Sequence, residues 1–231
     1  MNAKRGYLPE DDKNFSSKAL ETMKIASRHI TYLINEGYGL KQASTFVGNH
    51  FALSERQRLA IVRSIATTEQ LNLRKSKEKT TVEGSEVWID GFNTIITLEV
   101  MYNASILFAC MDGTIRDLAS LRGTYRIIPE TKDAIQMLLN TLEEMKIKSA
   151  HILLDEPVSN SGRLMALIAE MGENYSFNLD IQIIKDVDRE LWKKENVITS
   201  DSIILEHCIS WINFIKRCIE KHNTEILKVW I

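Results

Sequence analysis

The stretch Glu86-Val87-Trp88-Ile89-Asp90-Gly91-Phe92-Asn93 decides the fold class, because it carries a short apolar run directly into an aspartate. The same arrangement recurs where residues 150–154 run into Asp155 and where residues 196–200 run into Asp201. Short apolar runs that alternate with helical patterns are typical of buried strands in a parallel sheet. The carboxyl ends of such strands share one edge, and ligands bind there. We therefore expect the three aspartates to lie on one edge of one sheet.

The wider pattern from residue 86 to residue 231 alternates between strand and helix. Strand patterns cover residues 86–90, 150–154, 179–185 and 196–199, and helix patterns cover 93–109, 131–145, 162–171 and 201–221. Two weaker strand patterns lie at 125–128 and 225–231. Strand–helix–strand connections of this kind predict an α/β domain with a parallel sheet flanked by helices over residues 86–231.

The residues before this domain have a different pattern. Apolar side chains recur at roughly helical spacing between Leu20 and Ile34, and Ser54 with Gln57 forms the sequence signature of a capping box. Residues 1–80 are therefore predicted to be an all-helical N-terminal appendage that ends in a basic linker at about 72–84.

Positive charge is concentrated around that linker. Residues 54–80 contain seven basic side chains and three acids, a difference of +4 in a chain of net charge −2. The basic residues are Arg56, Arg58, Arg63, Arg74, Lys75, Lys77 and Lys79. A phosphate backbone is the common partner of such a segment. A solvated helix face and loop is an equally good interpretation of the same charges.

The composition is that of an ordinary soluble protein, with 26% charged and 44% hydrophobic residues in a chain of 231. The apolar stretches are shorter than the ~20 residues that span a bilayer, and no export signal opens the chain. The cysteines Cys110, Cys208 and Cys218 lack metal-ligand spacing. These features predict reduced core thiols in a cytoplasmic protein with no membrane partner, and they leave a homodimer open.

Three aspartates on one strand edge repel each other unless a divalent cation neutralises them. Asp90, Asp155 and Asp201 are therefore candidate ligands of Mg²⁺ or Mn²⁺, and such a site suggests phosphoryl chemistry. Asp112, in the polar stretch 112–117, is a further candidate catalytic acid. Asp90 and Asp201 could instead serve only as helix caps, and Asp112 could belong to a turn with a local ion pair.

Several polar side chains near these acids are candidate substrate ligands. The loop after Asp155 precedes a predicted helix, whose N-terminus favours anions, although the P-loop pattern is absent. A capped helix start without chemistry is the alternative for this loop. The candidates are Asn93, Arg116, Ser159, Asn160, Ser161, Arg163, Thr199 and Ser200.

Two of these motifs resemble those of the PIN-like nuclease superfamily, including its NYN branch. The resemblance rests on D-x-x-N at Asp90–Asn93 and T-x-D at Thr199–Asp201, within residues 86–231. The usual second acid of the late motif is absent from Asp201-Ser202-Ile203. The whole chain also resembles an uncharacterised, largely archaeal family known only as a domain of unknown function.

The PIN-like resemblance implies a metal-dependent ribonuclease that uses Mg²⁺ or Mn²⁺, with RNA as the partner and with Asp90 and Asp201 as metal ligands. Two alternatives stay open. One is a catalytically degenerate module that binds RNA or a nucleotide, and the other is a small-molecule phosphohydrolase that uses the loop from Ser159 to Arg163.

Overall fold

A computed structural model describes residues 4–119, 123–222 and 224–231. The helices are α1 (Asp11–Asn14), α2 (Ser17–Asn35), α3 (Leu40–His50), α4 (Glu55–Ser64), α5 (Thr68–Lys77), α6 (Gly91–Tyr102), α7 (Glu130–Glu144), α8 (Ser161–Gly172), α9 (Val187–Leu191), α10 (Ser202–His207) and α11 (Phe214–His222). The strands are β1 (Glu78–Lys79), β2 (Glu86–Asp90), β3 (Leu107–Ala109), β4 (Ile115–Asp117), β5 (Ser149–Asp155), β6 (Asn178–Ile184), β7 (Val197–Ile198) and β8 (Trp211–Ile212).

These elements form two compact units, and the chain passes between them more than once. The first unit comprises the described residues up to Ser76, together with Ser105–Leu118 and Glu225–Ile231. The second comprises Lys77–Ala104 and the described residues from Ala119 to Thr224. This division of the chain differs from the single boundary expected at residues 80–86, because two later segments of the chain belong to the first unit.

The first unit is built on helices α1–α5, as the apolar spacing predicts. Met23, Ala26 and Ile30 on one face of α2 are fully buried, which explains their recurrence at three- and four-residue intervals. The capping box at the start of α4 is confirmed, since the Gln57 N–H donates to Ser54 Oγ at 3.2 Å and the Ser54 N–H donates to Gln57 Oε1 at 2.9 Å. The antiparallel hairpin β3–β4 completes this unit.

The second unit is the predicted α/β domain. Its six-stranded sheet has the order β1-β8-β7-β2-β5-β6, and every neighbouring pair is parallel. The chain proceeds from β2 through β5 to β6, then returns to the other side of β2 with β7 and β8. The order therefore reverses between β2 and β7, and such a reversal marks the crevice where open α/β sheets bind ligands.

Helix α6, which follows β2, is the central helix of this unit. It is buried on nearly all sides, as a helix in the middle of a core must be. Its one acid, Glu99, is fully buried and accepts hydrogen bonds from Tyr125 Oη at 2.6 Å and Thr131 Oγ1 at 2.5 Å. These contacts explain how a carboxylate is tolerated there.

Several predicted boundaries are wrong. The helix expected at 93–109 ends at Tyr102, because Ala104 adopts a left-handed backbone (φ 49°) and β3 follows. The helix expected at 201–221 is interrupted by β8, whose residues are buried and pair with β7. The buried pairing of a short strand overrides the helical periodicity on either side of it.

Three further local expectations change. The expected linker at 72–84 begins as helix α5 and continues into β1. In place of a strand at 125–128 there is one bridge, from Thr124 to Ser159. In place of a strand at 225–231 there is one bridge, from Leu227 to Phe108. Both of these segments are too irregular to extend a ladder.

Candidate functional site

Asp90 lies at the end of β2, and the local hydrogen bonds hold its carboxylate in place. It is the N-cap of α6, where Oδ1 accepts from the Asn93 N–H at 3.4 Å. Its other oxygen, Oδ2, accepts from Thr199 Oγ1 at 2.8 Å. Only 7% of the residue is exposed. The carboxylate is thus tied both to its own helix and to the end of the neighbouring strand β7.

Asn93 and Ser200 make the second link between these two strand ends. Asn93 Oδ1 accepts from the Ser200 N–H and from Ser200 Oγ, each at 2.9 Å. The D-x-x-N and T-x-D motifs, which are over a hundred residues apart in sequence, therefore share one hydrogen-bond network. Asn93, Thr199 and Ser200, which were predicted to be substrate ligands, lie beside Asp90 in this network, and their role in substrate binding stays a prediction.

Asp201 caps the helix that follows β7. Its Oδ1 accepts from the Ile203 N–H at 2.8 Å and from the Ile204 N–H at 3.2 Å. Its own N–H donates to Thr199 Oγ1 at 3.0 Å, so the threonine hydroxyl contacts both aspartates of the motif pair. The cap role is present, and it leaves Asp201 Oδ2 without a described hydrogen bond.

Two more aspartates belong to the same edge. Asp186 and Asp188 follow β6, and Asp186 caps α9 by accepting from the Arg189 N–H at 3.1 Å. Neither residue was among the predicted metal ligands. Asp188 interacts electrostatically with Asp201, Asp155 and Asp186. The signal that could have revealed these acids is their position, since they follow a strand as Asp90 and Asp155 do.

Burial and the charges of neighbouring carboxylates raise the pKa of three acids at this edge. Burial raises the pKa of Asp90 to about 7, with the charges of Asp201 and Asp188 acting in the same direction and the Thr199 hydroxyl and Asn93 N–H opposing them. Burial also raises the pKa of Asp188, with further contributions from Asp201, Asp155 and Asp186. The pKa of Asp155 is raised by burial and by the charge of Asp186.

We call the five residues Asp90, Asp155, Asp186, Asp188 and Asp201 the acidic edge. They offer only carboxylate oxygens, the ligand type that Mg²⁺ and Mn²⁺ prefer. In the described parts of the chain, no three His, Cys, Asp or Glu side chains are grouped so as to hold a metal ion. The donor chemistry thus fits these ions, whereas a preformed three-ligand cage is not seen among the described residues.

Asp112 and Arg116 lie in the first unit, not on the sheet of the second. Asp112 Oδ2 accepts from Arg116 at 2.5 Å and from Arg74 at 2.7 Å, and all three side chains are buried. Burial alone would raise the pKa of Asp112, but Arg116, the Thr114 hydroxyl and Arg74 together lower it. We assign Asp112 and Arg116 a structural role in place of the expected catalytic and substrate-binding roles.

The loop after Asp155 is largely occupied by its own hydrogen bonds. Ser161 Oγ donates to the Asp155 carbonyl at 2.8 Å and to the Val158 carbonyl. Asn160 Nδ2 donates to the Tyr125 carbonyl at 2.7 Å, and the Tyr125 N–H donates to Ser159 Oγ at 3.2 Å. These three polar side chains therefore shape the loop. Arg163, at the start of α8, is exposed.

The basic segment is mostly engaged within the protein. Arg56 pairs with Asp11 at 2.9 Å, and Arg63 donates to the Asp117 carbonyl at 2.6 Å. Arg74 is buried in the ion pair with Asp112. Lys77, in the second unit, donates to the Glu206 carbonyl. Internal pairing is the physical reason why the density of positive charge in the sequence overstates the charge available to a partner.

The protein belongs to the class that combines a helical unit with a parallel α/β unit, and its acidic edge lies at the switch point of the sheet. The chain belongs to the family described as Domain of unknown function (DUF5616), whose model matches residues 79–217. A second model, described as Protein of unknown function (DUF434), matches residues 22–77. The boundary between these models falls close to the end of α5.

A relative supports the same assignment. The uncharacterized protein MJ0935 of Methanocaldococcus jannaschii is 37% identical to this chain over 183 residues, which cover 78% of the chain and 88% of the relative. No solved structure matches the chain. None of the comparisons indicates a PIN-like nuclease, so that resemblance stays a hypothesis. Among the described helices, none has both the length and the apolar character needed to cross a bilayer.

Proposed function

We propose that this protein is a metal-dependent ribonuclease that hydrolyses RNA phosphodiester bonds at the acidic edge. The observation that carries the proposal is the convergence of five aspartates on the carboxyl ends of β2, β5, β6 and β7, where Asp90, Asp155 and Asp188 have raised pKa values. Mutual repulsion of this kind stores free energy that a bound divalent cation relieves.

Mg²⁺ or Mn²⁺ fits this donor set. Mg²⁺ usually binds through one or two carboxylates and keeps several waters, and substrate phosphates complete its shell. A preformed cage of three side chains is therefore not required. One or two of Asp90, Asp155 and Asp201 would hold the ion, and Asp188 interacts electrostatically with all three of them. A bound ion would supply a water of lowered pKa and would neutralise charge on the scissile phosphate.

The protein's own residues position the acids. Thr199 Oγ1 contacts both the Asp90 carboxylate at 2.8 Å and the Asp201 N–H at 3.0 Å. Asn93 anchors the end of β7 through Ser200. Without an ion, Asp90 holds a proton up to about neutral pH. This network orients the two motif aspartates before a substrate arrives, which is the contribution that preorganisation makes to catalysis.

The test combines a melting curve with a cleavage assay. We expect millimolar Mn²⁺ to raise the melting temperature of the wild type relative to chelator, because the ion binds only the folded edge. Asp90→Asn and Asp201→Asn should lose this shift. Both should also reduce Mn²⁺-dependent cleavage of labelled RNA by at least about 100-fold, because even the loss of a group that only contacts a metal ligand can reduce activity by up to about 100-fold. In chelator both variants should be as stable as the wild type or more so, since asparagine also caps helices.

The matched control is Asp180→Asn. Asp180 lies on β6 of the same sheet but towards its amino end, where it pairs with His151 at 3.1 Å. This variant should retain the Mn²⁺ shift and the cleavage rate. If the wild type shows no Mn²⁺-dependent shift, the metal site is wrong. If Mn²⁺ binds but RNA is not cut, the alternative of an RNA-binding module without cleavage takes precedence.

A further inference from the structure

We propose that the first unit binds an unpaired stretch of single-stranded RNA along helix α2, through exposed aromatic and basic side chains. The choice of RNA as the strand rests on the proposed function, whereas the binding surface is argued independently of the acidic edge. We name this surface the α2 track. It comprises Lys13, Lys18, Arg28, His29, Tyr32, Phe46 and Phe51.

Two clefts form the α2 track. One, of about 440 Å³, lies between α2 and α3 and is lined by Arg28, His29, Tyr32, Leu33, Phe46 and Val47. The other, of about 420 Å³, is lined among others by Lys13, Lys18 and Phe51. The rings of His29 and Phe51 are in contact, with centroids 5.5 Å apart, so the two clefts adjoin.

The aromatic side chains of the first cleft are unusually exposed. Phe46 is 72% exposed and Tyr32 is 65% exposed, although they line the same cleft. Single exposed apolar residues are common, but two large rings at one cleft need a reason. Flat exposed rings beside cations are the parts from which single-strand binding surfaces are built, because every nucleobase can stack on them.

The charges of the track complement a polyanion. Lys13, Lys18 and Arg28 line the two clefts, and among the described lining residues there is no Asp or Glu. Glu21, an acid on α2, is paired with Lys24 at 3.1 Å. In a chain with 31 acidic residues, a surface that excludes acids favours phosphate over an ordinary solvated face.

The size of the α2 track also favours single-stranded RNA over a folded protein as the binding partner. From Lys18 to Tyr32 the helix rises about 21 Å, at 1.5 Å per residue, which is room for a few nucleotides. A stable protein interface buries about 800 Å² on each partner and uses about 20–30 residues a side. Each cleft instead has a volume within the range of small-ligand sites, roughly 300–1,000 Å³.

The test measures binding of a fluorescent 12-nucleotide oligoadenylate RNA by anisotropy, in chelator so that no cleavage occurs. We expect Phe46→Ala and Tyr32→Ala each to weaken binding about tenfold, which corresponds to the loss of one stacked base. Neither variant should change the affinity for an abasic strand of the same length, which keeps the phosphates but has no rings to stack. Tyr38→Ala is the matched control, because Tyr38 is 61% exposed in the same unit and lines neither cleft.

A second measurement, the salt dependence of RNA binding, tests the basic side chains of the α2 track. Lys18→Glu and Arg28→Glu should each reduce the slope of log affinity against log salt by about 0.7 for each phosphate that the variant no longer neutralises. The proposal is overturned if the wild type fails to bind the RNA at low salt, or if all variants bind equally. It is also overturned if Phe46→Ala disperses a dimer while RNA binding is unchanged, since the surface would then join two copies. Loss of cleavage activity alone would reject the proposed function and leave this binding result intact.

Discussion

Asp90 lies in surroundings that differ strongly from those of a surface carboxylate. It is 7% exposed, it caps α6, and its pKa is raised from 3.8 to about 7 by burial and by the charges of Asp201 and Asp188. An acid with such a pKa stays partly protonated at neutral pH. Such partial protonation is expected of a buried carboxyl group that lies close to several other carboxylates.

The first prediction is a pH dependence of stability that belongs to Asp90. Because its pKa is higher in the folded state, the native protein binds the proton more tightly. The resulting stabilisation is complete below about pH 4 and is lost as pH rises through about 7. In chelator, Asp90→Asn should therefore gain stability relative to the wild type between pH 5 and pH 8, by at most on the order of 4 kcal/mol.

The measurement is urea denaturation of both proteins at several pH values. Asp180→Asn is the control with the opposite sign, because the hydrogen bond from His151 lowers the pKa of Asp180. The difference in stability between Asp180→Asn and the wild type should change against the mutant only as pH rises towards the ordinary pKa of 3.8, and it should be level between pH 5 and pH 8. A free-energy gap between wild type and Asp90→Asn that is flat from pH 5 to pH 8 would show that Asp90 is ionised throughout.

At the scale of elements, the junction between β2 and α6 determines where Asp90 lies. Gly91 opens the helix directly against β5. A Cβ on this residue would lie 2.8 Å from the Leu153 carbonyl oxygen and 2.6 Å from Leu154 Cδ2. The carbonyl belongs to a strand of the central sheet and cannot move without disturbing the β2–β5 ladder. The glycine is thus required for close packing of helix on strand.

The second prediction follows from this contact. Gly91→Ala should destabilise the protein by about 1–3 kcal/mol, as overpacking of a rigid core site does. Gly162→Ala is the matched control, since a Cβ at Gly162 meets nothing within 4 Å near the start of α8. That change should be neutral or stabilising by up to about 1 kcal/mol. Equal denaturation midpoints for the two variants would contradict the packing argument.

At the scale of the whole molecule, the first unit contains residues from both ends of the chain. Residues 225–231 belong to it, although 106 residues of α/β sequence separate Leu118 from Glu225. The Leu227 N–H donates to the Leu107 carbonyl at 2.9 Å, and Trp230 Nε1 donates to the Ala109 carbonyl at 2.6 Å. Val229 is fully buried in the core of this unit.

The third prediction tests this assignment. Val229→Ala should cost about 2 kcal/mol, since it removes buried methyl groups and leaves a cavity. Native-state hydrogen exchange should then show faster exchange in the hairpin β3–β4 of the same unit. Ile231→Ala is the control, because Ile231 is 67% exposed. Unchanged exchange in the hairpin, or equal effects of the two variants, would remove the C-terminal segment from the core of the first unit.

The sequence by itself determined the local features that depend on periodicity and on short-range hydrogen bonds. The four main strands, the helical N-terminal region, the capping box at Ser54 and the parallel sheet were all predictable, because apolar spacing reflects burial on one face or on both. The clustering of Asp90 and Asp201 was predictable for the same reason. Parallel strands that end in acids bring those acids to one edge, whatever the length of chain between them.

Only the tertiary structure decided which polar side chains are available to bind a ligand and which are paired inside the protein. Asp112 and Arg116 satisfy each other inside the first unit, and most of the basic segment is paired internally. Asp188 follows β6, which pairs with β5, a strand that lies 29 residues earlier in the sequence. This pairing brings Asp188 to the acidic edge. The charge of a residue and its local spacing do not identify the distant side chain with which that residue pairs. The partner of a charged group, which decides whether it is structural or open to a ligand, is chosen by packing between distant segments.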